Sequence, residues 1–561
     1  MLSTMKKLKS LILLISFIFA AGCEQEVINL KQPAGPVTPP PPTAGTADFS
    51  KYVAIGTSIS AGFQAGALFT DGQNESLGAI LATQFAGVNS NAAFNQPTIG
   101  SVNGFNSTFS NPGAGISRGR LILFDPDGPG SDGLCPTLSR SAGPQPSAYP
   151  GATNPCTAVI TPALPSPYNS AQTFTQVVTP VTGSFNNFSV PGIVLAQILT
   201  PATGGPLPPA ANPAFNPYYR RFASNASNDG STGSTILGDA ITAAPTFFTF
   251  ELGYNEVVGF ATRGGLGVNT VPTAGASFSG QLNAVFSGPL PPGLTPILLA
   301  SATSKGVIAN VPDVTKLPFF SLVAWNSIDF KSCDLATAPT IAALNTAYGA
   351  YNTGLDQALA GGYPGLTAEE VAKRKITFAA GKNGIVIMDE TLTDLTPANA
   401  ALVSMRQATA ADKITLSAGA ILGTRADCAN PSSVYGVGLP LADQFVLLPS
   451  EITAITNAIT AYNAAIALLV TNNPTRLALA DLHTAFNTWV AGGAVLANGI
   501  PVLPSITPPL AGFSEDAVHP NGKGAAVFAN VFIDAINAKF GSTLHKADVT
   551  KYKGTRTPVN P

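Results

Sequence analysis

The sequence predicts an α/β fold: a mainly parallel sheet with helices on both faces, a three-layer α/β/α sandwich carrying large loop-rich insertions. Three observations predict it. Short apolar runs rich in β-forming residues recur at 52–55, 244–252, 306–311, 384–388 and 477–482. Several are followed by stretches whose apolar residues repeat at helical spacing, and strands that alternate with helices pair in parallel because each crossover returns the chain to the same sheet end. Finally, 561 residues with 55 glycines and 48 prolines exceed what one plain sheet domain needs, so turn-rich material must be inserted between its elements.

Taken in order, residues 1–22 read as a targeting segment. Lys6, Lys7 and Lys9 form its positive end and residues 11–19 its apolar centre, which is too short to span a bilayer. Ala20, Ala21 and Gly22 are small and Cys23 follows at once, a pattern resembling a bacterial lipoprotein signal in which Cys23 becomes the lipidated first residue. Residues 23–48 then form a tether, extended by Pro33, Pro36 and the run Pro39 to Pro42. Without Cys23 an even four cysteines remain, suited to an oxidising compartment. Four cysteines allow three connectivities, of which Cys135–Cys156 with Cys333–Cys428 is favoured, each pair bracketing one insertion. The absence of a CxxC spacing points away from zinc. A net charge of −2 and no basic patch argue against a nucleic-acid partner.

The globular part of the chain is expected over residues 49–545, with insertions near 89–180 and 330–430 and a disordered tail at 546–561. Lys51-Tyr52-Val53-Ala54-Ile55-Gly56-Thr57-Ser58 is a strand that breaks at Gly56, leaving Ser58 where a helix should begin. Open α/β sheets place ligands at that carboxyl end. Residues 89–180 are crowded with Gly, Pro, Ser and Asn. They contain Gly115-Ile116-Ser117-Arg118-Gly119, a G-x-S-x-G match that lacks the preceding strand the motif needs, and the acidic stretch from Asp125 to Asp132, which reads as turns rather than a calcium loop. Order returns at Val190-Pro191-Gly192, with helical spacing over 193–199. The run 244–252 ends in Gly253-Tyr254-Asn255-Glu256, again a strand leading to a turn. Ser450 is expected to cap a helix reaching Leu469, with Ile452, Ile455, Ile459, Tyr462 and Ile466 on one face, and a last helix follows His519-Pro520.

Only three histidines exist. His545 falls in the expected tail and His483 reads as a helix start. His519 sits in Asp516-x-x-His519-Pro520, where an aspartate three residues upstream on a tight loop can hold the imidazole tautomer and support the cation formed in proton transfer.

Together these blocks resemble the SGNH hydrolases, also called GDSL esterases/lipases, and most of all the large lipoprotein members of Bacteroidetes-type bacteria. Gly56-Thr57-Ser58 is similar to the nucleophile block, Val190-Pro191-Gly192 and Gly253-Tyr254-Asn255 to the two oxyanion blocks, and Asp516-x-x-His519-Pro520 to the acid–base block. The blocks stand in family order. Two neighbours depart from the pattern: the aspartate usual before the serine is Thr57, and the one usual after the asparagine is Glu256.

The resemblance implies an SGNH, flavodoxin-like sandwich and a Ser58-His519-Asp516 triad. The oxyanion donors would be the Ser58 and Gly192 N–H groups and the Asn255 side chain, with no cofactor and no metal. It implies an exported, lipid-anchored esterase or lipase in the outer membrane, acting on an ester of a lipid or an acylated glycan. Alternatives are a carbohydrate O-deacetylase of the same fold and a catalytically silent surface-binding lipoprotein, which Thr57 and Glu256 favour.

Overall fold

All five residues of the first strand, Tyr52–Gly56 (β1), are buried, as a strand covered on both faces requires. The structure is a computed structural model that describes residues 40–89, 93–125, 143–149, 152–153, 160–161, 163–266, 273–290, 294–331, 337–430 and 432–559. After β1 come helices α1 (Ser58–Ala61) and α2 (Leu77–Ala86), strand β2 (Phe247–Glu251), helices α3 (Asn255–Ala261) and α4 (Gly275–Phe286), and strand β3 (Lys305–Ala309). Helices α5 (Thr337–Ala360) and α6 (Pro449–Asn472), strand β4 (Leu477–Ala480), and helices α7 (Leu482–Gly492) and α8 (Gly522–Phe540) complete the main elements.

The four strands form one parallel sheet in the order β1-β2-β3-β4, with Tyr52 opposite Phe247, Phe247 opposite Lys305 and Gly306 opposite Leu477. Outside β1 the segment 186–190 runs alongside it. Ala54 N–H donates to Asn186 O, Phe188 N–H to Ala54 O and Val190 N–H to Gly56 O. That register carries Gly192 level with the turn that follows Gly56.

The pleat of β2 sorts the two faces. Phe247 meets the rings of Phe49, Phe85 and Phe540, on the side of α2 and α8. Phe248 and Phe250 meet Phe286 of α4 on the other side, and Phe278 of α4 stacks on Tyr462 of α6. Helices therefore cover both faces, and the predicted α/β class stands in this form. Along α6 the residues Ile455, Ile459, Tyr462, Ile466 and Leu469 make the buried stripe. Its start differs from expectation: Pro449 occupies the first turn, and Glu451, rather than Ser450, satisfies the entry by accepting the Leu448 N–H at 2.8 Å.

Other expectations are revised. The run 384–388 supplies no strand to the sheet. Its strand Val386–Met388 pairs antiparallel with Met405–Gln407 inside the second insertion. That insertion runs past its expected end at 430 and builds separate apolar clusters, one around Tyr348, Tyr351, Leu355 and Ile376, another around Ile385, Ile387, Leu441 and Val446. Residues 193–199 form only a short 3-10 helix, Leu195–Leu199, which ends where Thr200 is held extended ahead of Pro201. The carboxyl-terminal segment, expected to be disordered, is packed over the residues described. Val549 is fully buried, Lys553 N–H donates to Glu75, and Val559 exchanges backbone hydrogen bonds with Leu123 and Asp125. Apolar Ala547 and Val549 at the foot of α8 drive this packing.

Cys428 is disulfide-bonded. Cys23, Cys135, Cys156 and Cys333 lie outside the described residues, as do the targeting segment, most of the tether and the acidic stretch beyond Asp125.

Candidate active site

Ser58 is the first residue of α1, directly past the carboxyl end of β1, and is almost wholly buried. Gly56 makes the turn possible: a Cβ there would lie 2.7 Å from Ser60 Oγ and 3.0 Å from Glu251 Oε2. The first-turn N–H groups of so short a helix have no carbonyl within it and remain available as donors.

Residues Ser514 to Pro520 fold back over this turn. Ser514 N–H donates to His519 O at 2.8 Å, closing the loop that brings His519 to Ser58 across 461 positions of sequence. Ser58 Oγ lies 2.9 Å from His519 Nε2, and His519 Nδ1 lies 2.8 Å from Asp516 Oδ2. With the carboxylate on that side, Nδ1 carries the proton and Nε2 is free to accept one. Asp516 is also held by Val518 N–H and His519 N–H at 2.9 and 2.8 Å, by Ser514 Oγ at 3.0 Å and by Gly66 N–H at 2.8 Å. Burial works against its charge, but His519 and these backbone donors outweigh it and keep the carboxyl below its ordinary value. The ring of Phe63 stands edge-on to His519 at 5.1 Å and closes one side.

Gly192 has φ 74°, is exposed, and has open space where a Cβ would point. The left-handed backbone favours glycine there. Asn255 begins α3, and its Nδ2 donates to Ile193 O at 2.8 Å, which ties the Gly192 and Asn255 segments together and leaves the second amide N–H available. The structure thus joins Ser58, His519 and Asp516 by direct hydrogen bonds. It brings Gly192 and Asn255 together beside the same strand end.

Both departures from the family pattern have partners. Thr57 donates its N–H to Glu251 Oε2 at 3.0 Å, and its hydroxyl lies 2.8 and 2.9 Å from the two carboxylate oxygens. Ser60 Oγ adds a bond at 3.2 Å. Glu256 Oε1 accepts the Leu195 N–H at 2.5 Å, fastening the chain just past Gly192, while its Oε2 has no hydrogen-bond partner. Burial pushes Glu251 and Glu256 each up to about 7. Glu251 is the site neighbour that sequence reasoning missed. Its signal was a lone carboxylate ending the apolar strand Phe247–Glu251.

Ser117 lies in a loop between a 3-10 turn, Pro112–Ala114, and the strand Leu121–Phe124; no helix follows it directly, in keeping with a chance motif. His483 sits in the first turn of α7, where Asp481 caps the Thr484 N–H, and His545 is exposed. Among the described residues one group has metal-ligand spacing. Glu390, Asp443 and Glu451 bring carboxylate oxygens within 4.8 Å of one another, sharing no residue with the triad. Burial first, and their mutual repulsion next, push Asp443 up to about 6, and burial pushes Glu451 up to about 8.

Comparison of the chain with models of known protein families, with curated proteins and with solved structures finds no match.

Proposed function

We propose that this protein is a serine hydrolase of carboxylic esters, an SGNH-type enzyme on an exported, lipid-anchored chain. The observation that carries the reading is the unbroken hydrogen-bonded series Ser58–His519–Asp516 at the carboxyl end of a parallel sheet. Structural serines cap helices or point at carbonyls. A buried serine hydroxyl bonded to an imidazole that is itself held by a carboxylate is the arrangement nucleophilic catalysis requires.

Ser58 Oγ attacks the ester carbonyl carbon while His519 Nε2 takes its proton. The developing imidazolium is stabilised by Asp516, whose five hydrogen-bond donors keep it ionised and fixed. The carbonyl oxygen becomes an oxyanion held by the Ser58 and Gly192 N–H groups and the Asn255 amide, each such donor contributing about 3–4 kcal/mol in the transition state. Collapse breaks the ester C–O bond, and His519 delivers the proton to the leaving alcohol. Water, deprotonated by His519, then attacks the acyl-enzyme and releases the acid and free Ser58.

Thr57 and Glu256 favoured a silent binding protein while they stood as bare departures. Their contacts with Glu251 and Leu195 give both residues a place in the ordered site, which supports the hydrolase reading. The test is labelling with a fluorophosphonate followed by mass-spectrometric mapping. Modification at Ser58, lost in Ser58→Ala and kept in Ser117→Ala, is the expected result. Absence of labelling in the folded wild type would defeat the proposal. A panel of acetylated glycans and longer acyl esters then separates deacetylase from lipase.

A further inference from the structure

We infer that Glu251 is a positioning residue for the nucleophile: its carboxylate, at the end of β2, binds the turn that carries Ser58 and thereby aims the serine at His519. The inference rests on the serine-hydrolase reading and adds to it a residue outside the four named family positions.

Three contacts make the case. Glu251 receives the Thr57 N–H, the Thr57 hydroxyl and the Ser60 hydroxyl, so the residues on both sides of Ser58 hang on one side chain. Gly56 and Glu251 are paired in the sheet register, so the carboxylate starts from the strand position beside the turn it holds. Gly56 also leaves room for it, since an added Cβ would come within 3.0 Å of Glu251 Oε2. The clamp is buried, Glu251 being 4% exposed and Thr57 0%, so water does not substitute for a lost bond. The α1 helix has four residues and no side-chain cap from Thr57, so little else within it fixes where Ser58 points.

The same geometry explains Thr57. An aspartate at 57 would set a second carboxylate against Glu251 in a dry pocket, where the like charges repel and the pair would have to share one proton. A threonine supplies the donor. The two positions therefore form one unit: the groups at 57 and 251 must pair donor with acceptor.

This unit predicts a specific pattern of rescue. A glutamine at 251 can still accept the Thr57 N–H and the Ser60 hydroxyl through its oxygen and donate to Thr57 Oγ1 through its nitrogen. Glu251→Gln should therefore keep most of the activity. Glu251→Ala should lower kcat roughly 10- to 100-fold with KM nearly unchanged, and slow fluorophosphonate labelling in parallel, because misaiming the nucleophile affects the reaction and not substrate binding. Thr57→Asp alone should lose activity to a similar extent, and Thr57→Asp/Glu251→Gln should recover most of it, because the glutamine nitrogen donates to the new carboxylate.

The experiment is steady-state hydrolysis of a short p-nitrophenyl ester and labelling kinetics on the four full-length variants, with circular dichroism as the fold control. A folded Glu251→Ala protein with wild-type kcat overturns the inference. So does a double variant no better than Thr57→Asp, and that comparison decides the matter should Glu251→Ala fail to fold. An inactive, unlabelled wild type would instead refute the hydrolase reading itself, so the two failures are distinguishable.

Discussion

The smallest unit on which the proposed chemistry rests is the hydrogen bond between Ser58 and His519, supported by the five bonds that fix Asp516. Removing one donor of the proposed oxyanion site should separate chemistry from folding. Asn255→Ala should reduce kcat by roughly 100- to 1,000-fold with little change in KM, since that donor counts once charge develops on oxygen. His519→Ala should be more severe, losing the base for both half-reactions, and Asp516→Asn should approach it by trapping the wrong tautomer. Steady-state ester hydrolysis checks all three, and full kcat in a folded Asn255→Ala protein would remove Asn255 from the site. A second residue-scale prediction concerns acid. Burial raises Glu256 from 4.5 to about 7 in the folded protein. Between those values the folded state keeps a proton that the unfolded chain has released, so rising pH favours unfolding. The stabilisation is complete below about 4.5 and is lost as pH rises towards about 7. Glu256→Gln should therefore flatten the fall of Tm across that interval, and an unchanged slope in thermal melts would contradict the burial argument. These partners could not be read from spacing. Ser58 and His519 announced themselves by local context, whereas Glu251 acquires its role from lying beside β1, nearly 200 positions away in sequence.

At the scale of elements, the sheet strands were the most legible. β1 is a continuous apolar run and β2 carries Phe247, Phe248 and Phe250 because both their faces are covered, and α6 and α8 carry apolar stripes at helical spacing because only one face is. Phe247, fully buried among Phe49, Phe85 and Phe540, ties the strand to the helices of one face. Phe247→Ala should cost about 3–5 kcal/mol in stability. Asn521 tests the link from element to site. It caps α8 through Gly524 N–H, and its Nδ2 donates to Ala511 O, Phe513 O and Thr555 Oγ1, anchoring the chain that leads into Asp516 and His519. Asn521→Ala should lose about 1–2 kcal/mol for the cap alone and more for the stranded carbonyls. Urea unfolding checks both, and a midpoint unchanged in either variant would refute the packing described. What spacing misjudged was the strand at Val386–Met388. A short β-rich run looks the same whether it joins a central sheet or a hairpin, because the residues that cover it come from elsewhere in the chain.

Over the whole molecule, one sheet domain carries inserted material with its own apolar clusters. In the second insertion Arg406 is buried between Asp389 and Asp412 at 2.5 and 2.7 Å, an ion-pair set that needs every member. The carboxyl-terminal segment belongs to the body: deleting residues 546–561 would take the buried Val549 out of the main apolar cluster and strip Glu75 of its bond from Lys553. Such a truncation should lower Tm, and a variant melting like the full chain would show this packing to be dispensable. At the other end, Cys23→Ala should move the protein out of the detergent-soluble membrane fraction if Cys23 is the lipid attachment point. Unaltered partitioning would defeat the anchor. The expected disorder of the tail was a judgement from composition. Lys546, Lys551 and Lys553 made it look solvated, while its two buried apolar residues were too few to announce a packing partner.

The sequence by itself determined what depends on near neighbours in the chain: which runs are strands, where Gly56 breaks the first of them, that Asp516 stands one tight turn before His519, and that α6 and α8 have one apolar face. Tertiary structure decided what depends on residues hundreds of positions apart. It set His519 Nε2 at 2.9 Å from Ser58 Oγ, tied Asn255 to the Gly192 turn, and gave Thr57 its acceptor in Glu251. The reason is physical. Periodicity and turn chemistry act within a few residues of backbone. A hydrogen bond between strand ends is instead fixed by sheet order and register, which are settled only when every strand has chosen its neighbour.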